Sequence, residues 1–316
     1  MQPATSKRLM HRELKTKRLK PFRTFLLTGF LLISVASFAQ NDSVMKGGRA
    51  LIYGGVGVGY TGSMIGLYSL WYKDYPMGKF HFFNDNAEWL MMDKAGHSVT
   101  AYQIGRIGHT IMRSCGFGEK RSVWFSGLTG FAYLTTVEIF DGFSTGWGAS
   151  PTDMAANFIG SGLFIGQQLG WHEQKIQLKY SFHNTEYPAY NPSQLGRNLP
   201  QKMLKDYNGQ TYWLSVNISS LGLQETRFPK WLNLAAGYSI EGLTGSKANT
   251  GTVNGTGIPD SERRSQFYIS PDIDLSRIKT RSKVLKHVFN VIGFVKIPAP
   301  ALQFDKKGVT LIPVYF

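Results

Sequence analysis

The hydrophobic period of this chain changes once, near residue 172, and that change limits its fold to two kinds of element used in succession. Up to that point the apolar residues come in long Gly-rich runs, at 49–71, 86–113, 122–140 and 152–169. Each is long enough for about five helical turns. Small residues recur four apart at Gly55/Gly59, Gly62/Gly66, Ala156/Gly160 and Gly162/Gly166, a spacing that lets helix backbones approach closely, as in membrane helix pairs. Ser150-Pro151-Thr152-Asp153 is a helix start: Ser150 as N-cap, Pro151 in the first turn, an acid at the positive end of the dipole. The glycines of 50–66 each disfavour a helix by about 1 kcal/mol relative to Ala, so a strand is the alternative there.

Beyond residue 172 the pattern alternates by two. Residues 175–182, 211–219, 232–243 and 266–275 place apolar and polar side chains on opposite faces, and 288–297 and 309–316 are apolar on both. All six read as strands, with 245–259 as the longest loop. Phe316, with Val314 and Ile312 at alternate positions before it, resembles the sorting signal of outer-membrane β-barrel proteins, although Pro313 suits only an edge strand. Six strands are fewer than the eight of the smallest usual barrel. Either 50–72 adds strands, or the helices cover the sheet's apolar face.

The expected fold is therefore α+β: a Gly-rich four-helix segment followed by a C-terminal antiparallel β-sheet or a partial or closed β-barrel, membrane-associated. The expected divisions are a signal peptide at 1–40, a helical domain at 41–171 and a strand region at 172–316. The leader carries eight basic residues and Glu13, then an apolar stretch at 25–35, then Ser37-Phe38-Ala39, the layout of a secretory signal cleaved after Ala39 or Gln40. Met10 is an alternative start. The apolar stretch is short for a bilayer core of ~30 Å.

Without the leader the formal charge of +15 falls to +8, all of it in 172–316. In an exported chain such an excess points to anionic lipid headgroups or solubility, and no run is dense enough for a nucleic-acid arm. Cys115 is the only cysteine. It leaves no internal disulfide and lies far from the cleavage site, which speaks against acylation at a mature N-terminus. A mean hydropathy of −0.17 argues against a polytopic inner-membrane protein. Gly57-x-Gly59-x-x-Gly62 matches the dinucleotide fingerprint, but no strand–helix unit with an acid about 20 residues on surrounds it, so no dinucleotide is expected.

Ionisable residues inside the apolar runs mark the candidate site. Asp93 and His97 are four apart and share a helix face, Asp153 and Asn157 repeat that geometry, and Glu138 sits among apolar neighbours that raise its pKa. If the three helices pack together, Asp93, His97, Glu138, Asp153 and Asn157 form one polar cluster. Asp93, His97, Glu138 and Asp153 suit a divalent metal or acid–base work; a hydrogen-bond network that fixes helix register is the simpler alternative. Asp141 and Ser144, in the turn after the third helix, are secondary candidates. So is Lys94, which with Arg106 reads as a surface or headgroup-facing cation able to neutralise the acids.

Asp93-Lys94-x-x-His97, then Glu138, then Asp153-x-x-x-Asn157-x-x-Gly160 resembles the YfiM-like envelope family, a domain of unknown function described as predicted periplasmic lipoproteins. It is more remotely similar to the VanZ-like membrane proteins, implicated in glycopeptide-antibiotic resistance. The resemblance covers roughly 85–170. Downstream, 206–213 and 297–301 look like longer, strand-bearing members from Gram-negative bacteria. It implies an envelope location, in the outer membrane or on the periplasmic face, and no established reaction. Three functions follow as expectations: a membrane-associated structural or ligand- and ion-binding component, a hydrolase or transferase acting on lipid or cell-wall precursors through His97 and the carboxylates, or a small-solute or lipid channel. Membrane lipid is the expected partner.

Overall fold

A computed structural model describes residues 46–73, 75–222, 228–249, 251–253, 256–258 and 261–316; the expected signal segment lies outside them. Four helices come first: α1 (Lys46–Leu67, continued by a π-turn to Tyr72), α2 (Met92–Ser114), α3 (Glu119–Phe143) and α4 (Pro151–Trp171). The glycine run at 50–66 is helical. Strand β1 (Ile176–Phe182) follows, then three short helices, α5 (Tyr187–Tyr190), α6 (Pro192–Leu195) and α7 (Leu199–Lys205). The remaining elements are β2 (Gln210–Asn217), β3 (Leu232–Glu241), a small hairpin β4–β5 (Thr252–Val253 and Thr256–Gly257), β6 (Arg264–Ile273), α8 (Lys283–Ile292), β7 (Ala299–Asp305) and β8 (Gly308–Tyr315).

The glycine spacing does not carry most of the helix packing. A Cβ at Gly55, Gly59, Gly62, Gly66, Gly162 or Gly166 would meet nothing within 4 Å, so three of the four pairs face outward. Gly160 is different: its Cβ would stand 2.1 Å from the Ser98 carbonyl oxygen. Here α2 and α4 touch backbone to backbone, and Ser98 Oγ donates to the Ala156 carbonyl at 3.0 Å. Gly130 likewise brings α3 against the backbone of Ala101, where a Cβ would stand 2.5 Å from the carbonyl oxygen. Tyr102, Val123 and Phe164 fill the space between the three helices, and α1 lays Ile52 on Met112, Cys115 and Phe117. Gly162→Ala should therefore raise stability by up to ~1 kcal/mol through helix propensity, whereas Gly160→Ala should lower it because backbone must move. Paired thermal melts check this, and equal shifts would refute it.

The sheet is open, with strand order β1-β2-β3-β6-β7-β8, all antiparallel. The closed-barrel alternative is not realised. The free edge of β1 is instead met by 294–296: Tyr180 N donates to the Phe294 carbonyl at 2.8 Å and Lys296 N to the Tyr180 carbonyl at 2.9 Å. Two expectations need correction. Residues 283–292 form helix α8, because Val284, Leu285, Val288, Val291 and Ile292 recur at helical spacing. And the Pro-containing segment 299–305 is a strand, with Pro300 outward and exposed.

The two faces of this sheet are reversed relative to a soluble one. Its buried face is polar: Gln177, Lys179, Ser181, Thr211, Ser215, Asn233, Ser239, Ser270 and Asp272 are all buried. Trp213 is 1% exposed and donates to Ser181 Oγ at 2.9 Å. Most of these groups are satisfied by one another or by strand carbonyls, as burial requires. Lys179 Nζ sits 2.6 Å from Asp272 Oδ2 with both side chains fully buried, and Ser215 Oγ donates to the same oxygen. The strands curl so far that Tyr315 of β8 reaches Thr211 of β2, oxygen to oxygen at 2.8 Å.

The outward face is apolar. One cross-strand row runs Leu214–Ala236–Ile269–Leu302–Leu311, and its four large residues are 41–65% exposed. Among the described residues the helices cover only part of this face: Leu178 packs against the α2–α4 core, and Tyr212, Tyr238 and Ile240 against Met92 and Leu90.

Candidate functional site

Helices α2, α3 and α4 alternate in direction, so the start of α2, the end of α3 and the start of α4 meet at one end of the bundle. Asp93 and Asp153 lie in the first turns of α2 and α4, where the helix dipole favours a negative charge. The chain enters α2 through Trp89, Leu90 and Met91, all with positive φ (46°, 49° and 68°). Three non-glycine residues in this region cost on the order of 1–2 kcal/mol each. Contacts from the sheet side hold them: Trp89 N donates to the Ser246 carbonyl at 2.9 Å and Tyr238 Oη to the Leu90 carbonyl at 2.6 Å. This turn aims Asp93 and Lys94 into the bundle.

Lys94 is at the centre, not on the surface. Its Nζ lies 2.5 Å from Asp85 Oδ2, 2.7 Å from Asp93 Oδ2 and 3.1 Å from Asp153 Oδ1. Burial opposes the charge on Lys94, but the three carboxylates outweigh it and raise its pKa. Arg106 is buried too, yet its Nε donates to Gln103 Oε1 away from the acids. Asp85 had no periodic signal in the sequence, since it lies in a loop among Asn84 and Asn86. Ser150 joins it to the rest: Ser150 Oγ donates to Asp85 Oδ1 at 2.7 Å and accepts from Asp153 N at 3.1 Å, while Ser150 N donates to Glu138 Oε2 at 2.9 Å. The N-cap of α4 was legible in the sequence, but its second role was not.

His97 stands beside this network. Its Nδ1 is 2.9 Å from Asn157 Oδ1. An amide oxygen only accepts, so Nδ1 carries a proton; in the neutral ring Nε2 is then the lone-pair nitrogen. Nε2 faces Glu138 Oε1 at 3.7 Å. Glu138 Oε1 is buried without a hydrogen-bond partner, and Asp153 Oδ1, buried beside it, has the Lys94 ammonium at 3.1 Å. His97, Glu138 and Asp153 bring one ligand atom each within 4.8 Å of the others. Their electrostatics are strained: burial pushes the Glu138 carboxyl up to about 8, with Asp141 and Asp153 adding to it against the pull of His97. Burial, then Asp93 and Asp85, push Asp153 to about 8 against Lys94.

Asp141 borders the cluster, accepting from Tyr72 Oη at 2.7 Å, and desolvation with the nearby Asp153 and Asp85 raises it to about 7. Ser144 stays outside; its Oγ accepts from Gly146 N in the turn after α3. Thus Asp93, Lys94, His97, Glu138, Asp153 and Asn157 converge, Asp141 adjoins them, and Ser144 does not reach them. Asp85 and Tyr72 are the members that sequence reasoning missed.

Fold and site together define an α+β protein with a carboxylate–imidazole centre at one end of a helical bundle. Residues 81–165, the span that builds this centre, match the family described as predicted periplasmic lipoprotein (DUF2279). The match fits an exported envelope protein of unknown function. No curated protein and no solved structure matches the chain.

Proposed function

We propose that this protein is a membrane-associated component of the cell envelope that binds a divalent cation between His97 Nε2, Glu138 Oε1 and Asp153 Oδ1. One observation carries the reading. Among the described residues, two groups of metal-ligating side chains stand together, Asp85/Asp93/Asp153 and His97/Glu138/Asp153; the Lys94 ammonium sits among the oxygens of the first and reaches the second only at the shared Asp153. In the second, the unpartnered Glu138 Oε1 faces the His97 Nε2 edge and Asp153, whose Oδ1 touches that same ammonium at 3.1 Å; the buried Glu138 oxygen has no hydrogen-bonded cation, which is unfavourable until a positive charge sits beside it. One nitrogen and two oxygens suit zinc, manganese or ferrous iron, whereas magnesium and calcium prefer oxygen alone. Asn157 would serve as the outer partner that fixes the ring and its tautomer. His97 keeps 19% of its side-chain surface open, which gives an ion a way in.

The membrane part of the proposal rests on the apolar outward rows of the sheet and on the single described helix long and apolar enough to cross a bilayer, Ala50–Tyr72. The outer membrane is the bilayer proposed, in keeping with the curled sheet and the YfiM-like motif; the remote VanZ-like likeness adds a membrane setting for the same residues. The test is a metal titration in detergent after chelator treatment. Wild type should take up one equivalent of zinc or manganese. His97→Ala should lose at least tenfold in affinity, and Asn157→Ala about 10- to 100-fold. Equal uptake by wild type and His97→Ala would sink the proposal.

A further inference from the structure

We propose that α8 is an interfacial helix that lays its apolar face into the headgroup–acyl boundary of a bilayer rich in anionic lipid. It rests on the membrane reading above and names the surface and lipid charge involved. Val284, Leu285, Val288, Val291 and Ile292 occupy one face of α8, and each is 42–72% exposed. Lys286 and His287 point away from that face, and His287 Nε2 stands 3.0 Å from Ser114 Oγ at the end of α2. The helix therefore meets the body of the protein through its polar side and turns its apolar side out. A soluble protein does the reverse.

The helix is held ready for this. Ten residues are marginal as a free helix in water. Here Ser282 Oγ accepts from Leu285 N at 3.3 Å as an N-cap. The segment before it is fixed by Arg277 on Asp274 and Glu173. The segment after it is fixed by the Tyr180 pairing of 294–296. Both ends are tethered, so little ordering is left for the lipid to impose.

Charge selects the occupant. Between Asp274 and Asp305 the sequence has no acidic residue, but it has Arg277, Lys279, Arg281, Lys283, Lys286 and Lys296. Lys279, Arg281 and Lys286 are exposed. A second copy of the chain would bring the same charges to the contact, and the basic residues 1–39 would be repelled as well. Anionic headgroups are attracted, and an amphipathic helix with basic and aliphatic sides is the form that binds them.

The test uses the full chain with Cys115→Ser and one nitroxide, at Val288→Cys or at Lys286→Cys. The protein is mixed with vesicles of phosphatidylcholine alone or with added phosphatidylglycerol. In mixed vesicles the Val288 label should become accessible to oxygen and shielded from a nickel chelate, and the Lys286 label should not. Reversing Lys279, Arg281 and Lys286 to Glu should return the Val288 label to water while the chain stays in the vesicles. Should the Cys115 change impair folding, tryptic cleavage after Lys286 in the wild-type chain gives the same reading: slowed by phosphatidylglycerol, unaffected by phosphatidylcholine. A Val288 label in water in both vesicles, with the chain inserted, overturns this proposal alone. A chain that stays out of both vesicles overturns the membrane reading with it. A label immobilised in detergent as protein concentration rises would show that a second copy covers the face, and overturns the lipid assignment.

Discussion

Lys94→Met should unfold this protein far more easily than any surface charge change, with a loss of about 3–5 kcal/mol and a fall of roughly 10 °C in Tm. The reason is the charge balance at the end of the helical bundle. Asp85, Asp93 and Asp153 surround one ammonium, and all four side chains are at most 14% exposed. Removing the ammonium leaves three carboxylates close together in a medium that screens poorly. Asp85, whose pKa the Lys94 and Ser150 hydrogen bonds hold down against burial, would lose that support. Asp93 and Asp153, already pushed up by burial, would take up protons to limit the repulsion. Lys94→Met/Asp85→Asn should therefore recover part of the loss. The pair Lys306–Glu262, 70% and 60% exposed, supplies the control: Lys306→Met should change stability by less than about 0.5 kcal/mol. Urea unfolding of the three variants decides the matter. A Lys94→Met protein as stable as wild type would mean that protons, not the ammonium, balance these carboxylates.

Part of this centre could be read before the fold was known, for a definite reason. Asp93/His97 and Asp153/Asn157 are four apart, so helical geometry alone puts each pair on one face. Glu138 stands out because it interrupts an apolar run. Lys94 stands out equally, but i,i+1 neighbours on a helix do not share a face, which suggested the surface. The left-handed turn at Trp89–Met91 and the arrival of Asp85 from a loop put its ammonium inside. Neither event leaves a periodic trace. The same limit explains α8. Val288 to Ile297 is apolar enough for a buried strand, and only the positions before it, Val284 and Leu285, reveal the helical period. The sheet shows a different limit. Alternation located β1, β2, β3 and β6 correctly, and a run apolar on both faces located β8, but neither pattern can say which face is inside. The usual assumption buries the apolar one, whereas here Lys179, Trp213 and Asp272 are inside.

In chelator-treated protein, stability should fall as pH rises from about 5 to 8, against the common pattern of a maximum in that range. Glu138 and Asp153 are raised to about 8 and Asp141 to about 7, from ordinary values of 4.5, 3.8 and 3.8. A carboxyl raised on folding binds its proton more tightly in the folded than in the unfolded chain. Its contribution is complete below the unfolded pKa and is lost as pH rises through the folded one. The native state then holds more protons across the window, and the slope of stability against pH is negative. One to two protons give about 1.4–2.7 kcal/mol lost per pH unit at the steepest point. Asp85 has the opposite sign, since its pKa is lowered on folding, but its effect lies below the window; His109 and His183, lowered by burial, also oppose the slope, but only below about pH 6.5, so the fall is steepest above that. The raised pKa of Lys94 acts above it. Glu138→Gln mimics the protonated side chain and should flatten the slope by about one proton. A bound divalent cation should flatten it too, because the ion takes the place of the protons on Glu138 and Asp153 and is held better as pH rises. The two treatments separate the two ways of balancing this site. If Glu138→Gln flattens the slope and zinc or manganese does not, the centre is a proton-holding network that organises α2, α3 and α4. If metal flattens it in wild type but not in His97→Ala, the imidazole lone pair and the two carboxylate oxygens are ligands.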